Sequence, residues 1–404
     1  MYKTGGNVPF PTIGNGTLPH LNVLTHFIIF TMHKHLFLFF FYICFLTGCS
    51  GSYNDNDYFN GEIYLIEENV PTETPTRHKI EMEGIYMGPV FAYDSLLFYY
   101  PMNHSAKYAY EIYNLKNDSL IGEFHRKGNG PNEAIAITTI TKFFKENGEL
   151  KTWLYTGPEK ELFQWNITRS IEKKTTVIDS VFSLDWEADQ HVSIYNQVYR
   201  LAKDTVLVLV PPTSTTLDGQ TVSLPLIEKR QLPDDTRISS YVVYKKNPES
   251  NGQNIYSPHN RLSPGQFLSA FCSLKPDRTK LVQALTYLPQ INIIDLHTGE
   301  IKGFRFADSY NFSIFRKHVE QVDRCFTNVV CDDQCIYALY NGINITNKEK
   351  AEDAHLIYVF DWNGKLVKKL DIGQNVDHLF LDHSNNRLYA REYHSDYTYY
   401  YTLE

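Results

Sequence analysis

From Gly61 onward, short runs of β-branched and aromatic residues are broken by Gly, Pro, Asn and Asp at intervals of about ten residues, the spacing of sandwiches, barrels and propellers. No long window repeats its apolar positions at the helical period of about 3.6, so the pattern predicts an all-β chain with little helix. Four places share an apolar residue followed by Asn or Asp, a turn and a polar strand: Tyr113-Asn114, Trp165-Asn166, Ile294-Asp295 and Phe360-Asp361. Their Asn or Asp positions lie 52, 129 and 66 residues apart, and the middle gap is two periods with one degenerate copy between. In the turn Trp362-Asn363-Gly364-Lys365, glycine supplies the positive φ of a tight hairpin. Leu296-His297-Thr298-Gly299-Glu300 is the other clear turn.

A period of about 50 to 65 residues suits four-stranded blades with generous loops. Strands laid on it give a six-bladed β-propeller over residues 62–404, with blades at 84–125, 139–182, 196–245, 267–307, 326–371 and 376–404. The third departs most from the repeat. The last offers three strands, Asp377 to Asp382, Arg387 to Glu392 and Tyr397 to Leu403, and would leave an open edge. Glu62 to Glu67 is a surplus strand at the other terminus, and pairing it with the last blade closes the ring. The same strand density would suit two β-sandwich domains joined by the turn-rich segment Asn247 to Pro264, which is long for a loop.

The first fifty residues have a different character. Met32-His33-Lys34-His35 precedes an uncharged apolar run from Leu36 to Leu46 and then Thr47-Gly48-Cys49, the layout of a secretory leader. The run is shorter than the roughly 20 residues a membrane-spanning helix needs. Leu46-Thr47-Gly48-Cys49 resembles the lipobox of bacterial lipoproteins, which makes Cys49 the lipidated first residue of the mature chain. Met32 reads as the start, residues 1–31 as an artefact, residues 32–48 as the signal peptide and residues 49–61 as a flexible polar tether. This implies a lipid-anchored protein of the cell envelope, at the outer membrane, periplasmic or surface-exposed.

Charge and cysteine content narrow the field further. The 404-residue chain has a formal net charge of −8; loss of residues 1–48 removes Lys3 and Lys34 and no acid, so the mature surface is more negative still. Such a surface repels nucleic acid. Four thiols remain after processing, Cys272, Cys325, Cys331 and Cys335; in an oxidising envelope the last three can supply one bridge, and Cys331 and Cys335 lack the second short-spaced pair a zinc site needs. No cofactor or metal is expected.

Among motifs, Gly128-Asn129-Gly130-Pro131-Asn132-Glu133 begins like a dinucleotide fingerprint but has Glu133 where the third glycine belongs. It reads either as a tight inter-blade connection or as a channel-mouth site in which His125, Arg126, Lys127 and Glu133 bind an anionic or sugar ligand. Tyr256, His259 and Arg261, in the long loop, are further binding candidates. His378 and His383 each follow an aspartate, but an odd spacing on a strand sends them to opposite faces, so they read as separate solvated histidines. Tyr397-Thr398-Tyr399-Tyr400-Tyr401 reads as a strand with alternating rings packed in the last blade, or as a sugar platform. No H-E-x-x-H, G-x-S-x-G or EF-hand motif occurs.

His125-Arg126-Lys127-Gly128-Asn129-Gly130-Pro131-Asn132-Glu133 and Ile357-Tyr358-Val359-Phe360-Asp361-Trp362-Asn363-Gly364-Lys365-Leu366 resemble the two signatures of Bacteroidetes lipoproteins described as TolB-like six-bladed propellers. The resemblance implies the fold and an envelope location and leaves the activity open. The expectation is a module that binds a glycan ligand or an envelope protein partner. The alternative is an enzyme, a hydrolase or lyase on glycans or lactones, with its active site in the central channel.

Overall fold

In the computed structural model the described residues are 55–80, 88–103, 105–130, 133–183, 197–210, 224–245, 268–307, 311–312, 322–344, 355–392 and 397–403. Cys49, Tyr256, His259 and Arg261 lie outside them, as do residues 1–54.

The described chain forms six β-sheets arranged as the blades of a propeller. Three short strands come first: β1 (Glu62–Leu65), β2 (Thr72–Glu73) and β3 (Arg77–Ile80). Blade 1 comprises β4 (Val90–Tyr93), β5 (Leu96–Tyr99), β6 (Tyr108–Asn114) and β7 (Ser119–Arg126). Blade 2 comprises β8 (Phe143–Glu146), β9 (Glu149–Thr156), β10 (Glu161–Asn166) and β11 (Ile178–Ser183), with helix α1 (Ile167–Lys173) between the last two. Blade 3 comprises β12 (Gln197–Ala202), β13 (Thr205–Val210), β14 (Leu226–Gln231) and β15 (Thr236–Tyr241). Blade 4 has β16 (Ala270–Leu274), β17 (Lys280–Leu285), β18 (Gln290–Asp295) and β19 (Ile301–Arg305). Blade 5 has β20 (Asp323–Cys331), β21 (Cys335–Asn344), β22 (Leu356–Asp361) and β23 (Leu366–Asp371). Blade 6 has β24 (Val376–Asp382), β25 (Arg387–Glu392) and β26 (Thr398–Thr402). Six sheets arranged as the blades of one ring rule out the two-sandwich alternative.

Burial explains why these segments read as apolar runs. Blades stack face to face, so middle strands are covered on both sides: β17 and β18 are buried over almost their whole length. Outermost strands keep one free edge and are largely exposed, as β11 is. The apolar core is accordingly a series of seams between neighbouring blades. One cluster joins Val90, Phe98 and Tyr110 of blade 1 to Leu154 and Trp165 of blade 2 and to Phe380 and Tyr389 of blade 6, so the ring closes through its side chains. Phe91 of blade 1 meets Phe380 of blade 6 edge to face, 5.2 Å between centroids.

The repeated Asn or Asp ends the third strand of its blade in every case. Its side-chain oxygen accepts backbone N–H groups of the following turn: Asp295 from His297 and Thr298, Asp361 from Asn363 and Lys365, and Asn114 from Lys116. Asn166 does the same for Arg169 and so caps α1, the one α-helix among the described residues of the blades. Blade 3 carries the degenerate copy: β14 ends at Gln231 without an Asx turn residue. Gly364 has φ +83° with the Phe304 ring against the site a Cβ would occupy, so glycine is required twice over.

The ring is closed by an N-terminal strand on the last blade, but by β3 and not by Glu62 to Glu67. β3 pairs antiparallel with β26, Lys79 opposite Tyr399 and His78 opposite Tyr400, and supplies the fourth strand of blade 6. β1 instead lies parallel on β19, with Ile63 opposite Gly303, and β2 lies parallel on β23. The N-terminal segment is thus a belt across the outer edges of blades 4, 5 and 6. Its anchor lies before β1: Phe59 is fully buried beside Tyr244 and Phe312, and Asp55 takes Arg305 at 2.6 Å and the Phe312 N–H at 3.0 Å. The segment expected to be tether up to residue 61 is therefore seated from Asp55 onward. With that point fixed on blade 4, the next residues reach β19 first; blade 6 is met only after the chain has passed β23.

Candidate functional site

The six inner strands surround a central channel. Near the turns that leave these strands it holds a cavity of about 220 Å³, walled by residues of all six blades: Tyr93 of blade 1, Phe143 of blade 2, Tyr199 of blade 3, Leu274 of blade 4, Cys331 of blade 5 and Phe380 of blade 6 are among them. Aromatic and aliphatic carbon makes up most of this wall. Its polar groups are mostly committed to one another. The Thr141 hydroxyl donates to the Val198 carbonyl at 3.1 Å, the Tyr199 hydroxyl to the Cys272 carbonyl at 2.8 Å, and Ser273 Oγ lies 3.2 Å from Cys331 Sγ. Burial pushes the Cys331 thiol up to about 12, so it stays protonated near neutrality.

Lys142 is the exception. It lines the cavity just before β8, and its Nζ is buried without a hydrogen-bond partner. Burial pushes its pKa down to about 8; repulsion from Arg278 adds to this, and Asp333 and Asp277 only partly offset it. An amine in this state is a preformed receptor for an acceptor or an anion that enters the cavity. In the sequence Lys142 is an ordinary basic residue ahead of two phenylalanines, and only ring closure reveals that it faces a cavity; no local motif marks it.

His383 stands exposed at the rim, and there the cavity adjoins a wider groove of about 720 Å³ between blades 5 and 6, lined also by Asp332, Asp333, Lys368 and Thr402. His378 differs from the solvated residue expected: its Nε2 is buried without a hydrogen-bond partner, its ring meets Phe91 edge-on, and burial lowers its pKa to about 4. The seam between blades 6 and 1 covers it. Among the described residues no group of three or more His, Cys, Asp or Glu is placed to hold a metal ion. Cys272, Cys325, Cys331 and Cys335 are all free thiols; Cys331 faces Ser273 of blade 4, while Cys335 packs in the seam with blade 6.

The structure gathers His125, Arg126, Lys127 and Glu133 at the seam of blades 1 and 2, away from the channel cavity. His125 is 4% exposed, wedged against Trp165 at 4.5 Å between centroids, and burial pushes its pKa down to about 3. Arg126 pairs with Glu133 at 3.2 Å, and Glu133 accepts the Gly130 N–H at 2.9 Å. A Cβ on Gly128 would overlap the Glu133 carboxylate, which accounts for that glycine. Lys127 donates to the Pro101 carbonyl at 3.3 Å. In the tyrosine run, Tyr399 and Tyr401 pack into the seam with blade 5, whereas Tyr400 stacks on His78 at 4.6 Å beside Tyr389, so the rings alternate as a blade strand requires.

Fold and channel together define a closed six-bladed β-propeller. Residues 227–384 match the family model described as TolB-like 6-blade propeller-like, in keeping with the resemblance of the signature segments. The matched stretch contains the second signature and ends in blade 6. No curated protein matches the chain in sequence. Among solved structures it is similar to a DUF4221-family protein from Bacteroides vulgatus, at 10% identity over 87% of this chain and 99% of that one, with a TM-score of 0.49. It is also similar to a luciferin-regenerating enzyme, at 11% identity over 81% and 95%, TM-score 0.45. A third is regucalcin, a calcium-binding protein from Agrobacterium tumefaciens, at 12% identity over 85% and 96%, TM-score 0.42.

Proposed function

We propose that this protein is a lipid-anchored propeller of the cell envelope that binds a ligand in its central channel. The observation that carries the binding role is the buried, unpartnered Lys142 amine in a cavity to which every blade contributes. Placing a cationic group in apolar surroundings without a partner is unfavourable, and a bound acceptor relieves that cost. The envelope location is supported by the leader before Leu46-Thr47-Gly48-Cys49. Attachment is assigned to a lipid on Cys49, supported by the resemblance of Leu46-Thr47-Gly48-Cys49 to a lipobox.

Catalysis is the second reading, and one observation favours it. With a pKa of about 8, Lys142 is mostly protonated at pH 7 but keeps about a tenth of its amine free, far more than an ordinary lysine, and the free amine is the form a nucleophile or general base needs. Mature protein incubated with a small-molecule extract and analysed by native mass spectrometry separates the two. A binding module retains an unchanged compound that Lys142→Met does not retain. An enzyme depletes a compound and releases its product. Retention that is the same in both proteins would contradict the channel assignment.

A further inference from the structure

The lining of the channel cavity also selects a ligand class, on the reading that the cavity is the binding site. The hydroxyls of Thr141 and Tyr199 are spent on backbone carbonyls and Ser273 Oγ lies 3.2 Å from Cys331 Sγ, which leaves the Lys142 Nζ as a buried donor without a partner; the Tyr93 hydroxyl and the exposed His383 ring also line the cavity. The same cavity is lined by the rings of Tyr93, Phe143 and Phe380 and the side chains of Leu274 and Leu381. We infer that the cavity takes a small monocarboxylate with a compact aromatic or branched apolar body, its carboxylate on the Lys142 Nζ and its body against these rings.

Each alternative leaves something unpaired. A neutral apolar molecule leaves the amine buried without a partner. A sugar brings several hydroxyls to a wall that is mostly apolar carbon, and buried hydroxyls without partners are unfavourable. A dianion places a second charge on apolar carbon, within reach of the Asp277 and Asp333 charges that act on Lys142. Size agrees: a dry engineered cavity of about 150 Å³ holds benzene, and the 220 Å³ here leaves space for a carboxyl group beside a ring. This class departs from the glycan expected from the sequence.

Titration calorimetry of the purified mature protein with phenylacetate, and with 2-phenylethanol as its uncharged counterpart, tests the inference. Phenylacetate is expected to bind, and Lys142→Met to weaken it about tenfold to a hundredfold, the worth of one hydrogen bond to a charged group. At pH 8, binding should also take up protons, read as heat that depends on the ionisation enthalpy of the buffer, because the carboxylate stabilises the charged amine. A merely structural Lys142 would give no such uptake. If 2-phenylethanol binds as tightly as phenylacetate, the carboxylate assignment is overturned and the channel remains the site. If Lys142→Met binds phenylacetate as the natural protein does, or if neither probe binds at millimolar concentration, the channel assignment itself fails.

Discussion

Lys142→Met is a sharp perturbation because it removes a charge while nearly preserving length and volume. The ordinary lysine pKa of 10.5 falls to about 8 in the fold. Below pH 8 both folded and unfolded chains hold the proton, and the folded chain bears the full cost of keeping it in the cavity. At about 1.36 kcal/mol per unit, that cost is about 3 kcal/mol. Between pH 8 and 10.5 the unfolded chain binds more protons than the folded one, so stability rises with pH and the cost disappears. The groups facing Lys142 are Cys331, Arg278, Asp333, Asp277 and His383; they remain in both proteins, and the loss of the Lys142 charge relieves its lowering effect on His383 and Cys331, a smaller contribution than the burial of the amine itself. Urea unfolding of the two proteins at pH 7 and pH 10.5 reads the effect. The variant should be more stable by about 3 kcal/mol at pH 7 and by under about 1 kcal/mol at pH 10.5. A difference that does not change with pH, or a variant less stable at pH 7, would refute the burial of an unpaired charge.

The belt and the clasp can be tested independently. Asp55→Asn leaves Arg305, 1% exposed, without its counter-charge and should cost about 3 kcal/mol in urea unfolding, the lower end for a broken buried pair because Asp55 is partly solvated. Tyr401→Ala removes a fully buried ring from the seam of blades 5 and 6 and should cost about 3 to 5 kcal/mol by the same measurement. Arg126→Ala with Lys127→Ala removes a partly exposed ion pair, one carbonyl contact and the Lys127 contact over the Tyr100 ring at 5.7 Å, and should change stability by about 1 kcal/mol; a loss of affinity for phenylacetate in that variant would move the binding site to the blade 1 and 2 seam. Cys49→Ser should abolish incorporation of labelled fatty acid and release the protein from the membrane fraction in cells; unchanged labelling would contradict the lipid assignment.

Much of the ring was legible because its signals are local. Strand runs and turn residues placed all six blades within a few residues of their observed limits. The Asn or Asp repeat identified one structural position, the end of the third strand, because the chemistry of the turn itself demands a side-chain acceptor there. The missing strand of blade 6 was legible as a shortage. Its supplier was not, because an outermost strand buries little: Arg77-His78-Lys79-Ile80 is mostly exposed and reads as polar loop, whereas the more apolar Glu62-Ile63-Tyr64-Leu65 looked like the better strand. Register on blade 4 comes from Phe59 and Asp55, whose partners Tyr244, Phe312 and Arg305 lie about 185 to 260 residues away in sequence, where no local pattern reaches. Lys142 was invisible for the same reason. The glycine-rich segment drew attention through its composition, and the tightness of its backbone around Glu133 accounts for that composition.

The charge state of Lys142 is the most direct measure of whether the channel is a built site. Mature protein labelled with ¹³C at lysine Cε, with the Lys142 signal assigned by its loss in Lys142→Met, can be titrated by NMR. One lysine is expected to show a midpoint near 8, rising when phenylacetate is added, against surface lysines near 10.4. A Lys142 midpoint among the surface lysines, unmoved by the ligand, would contradict it.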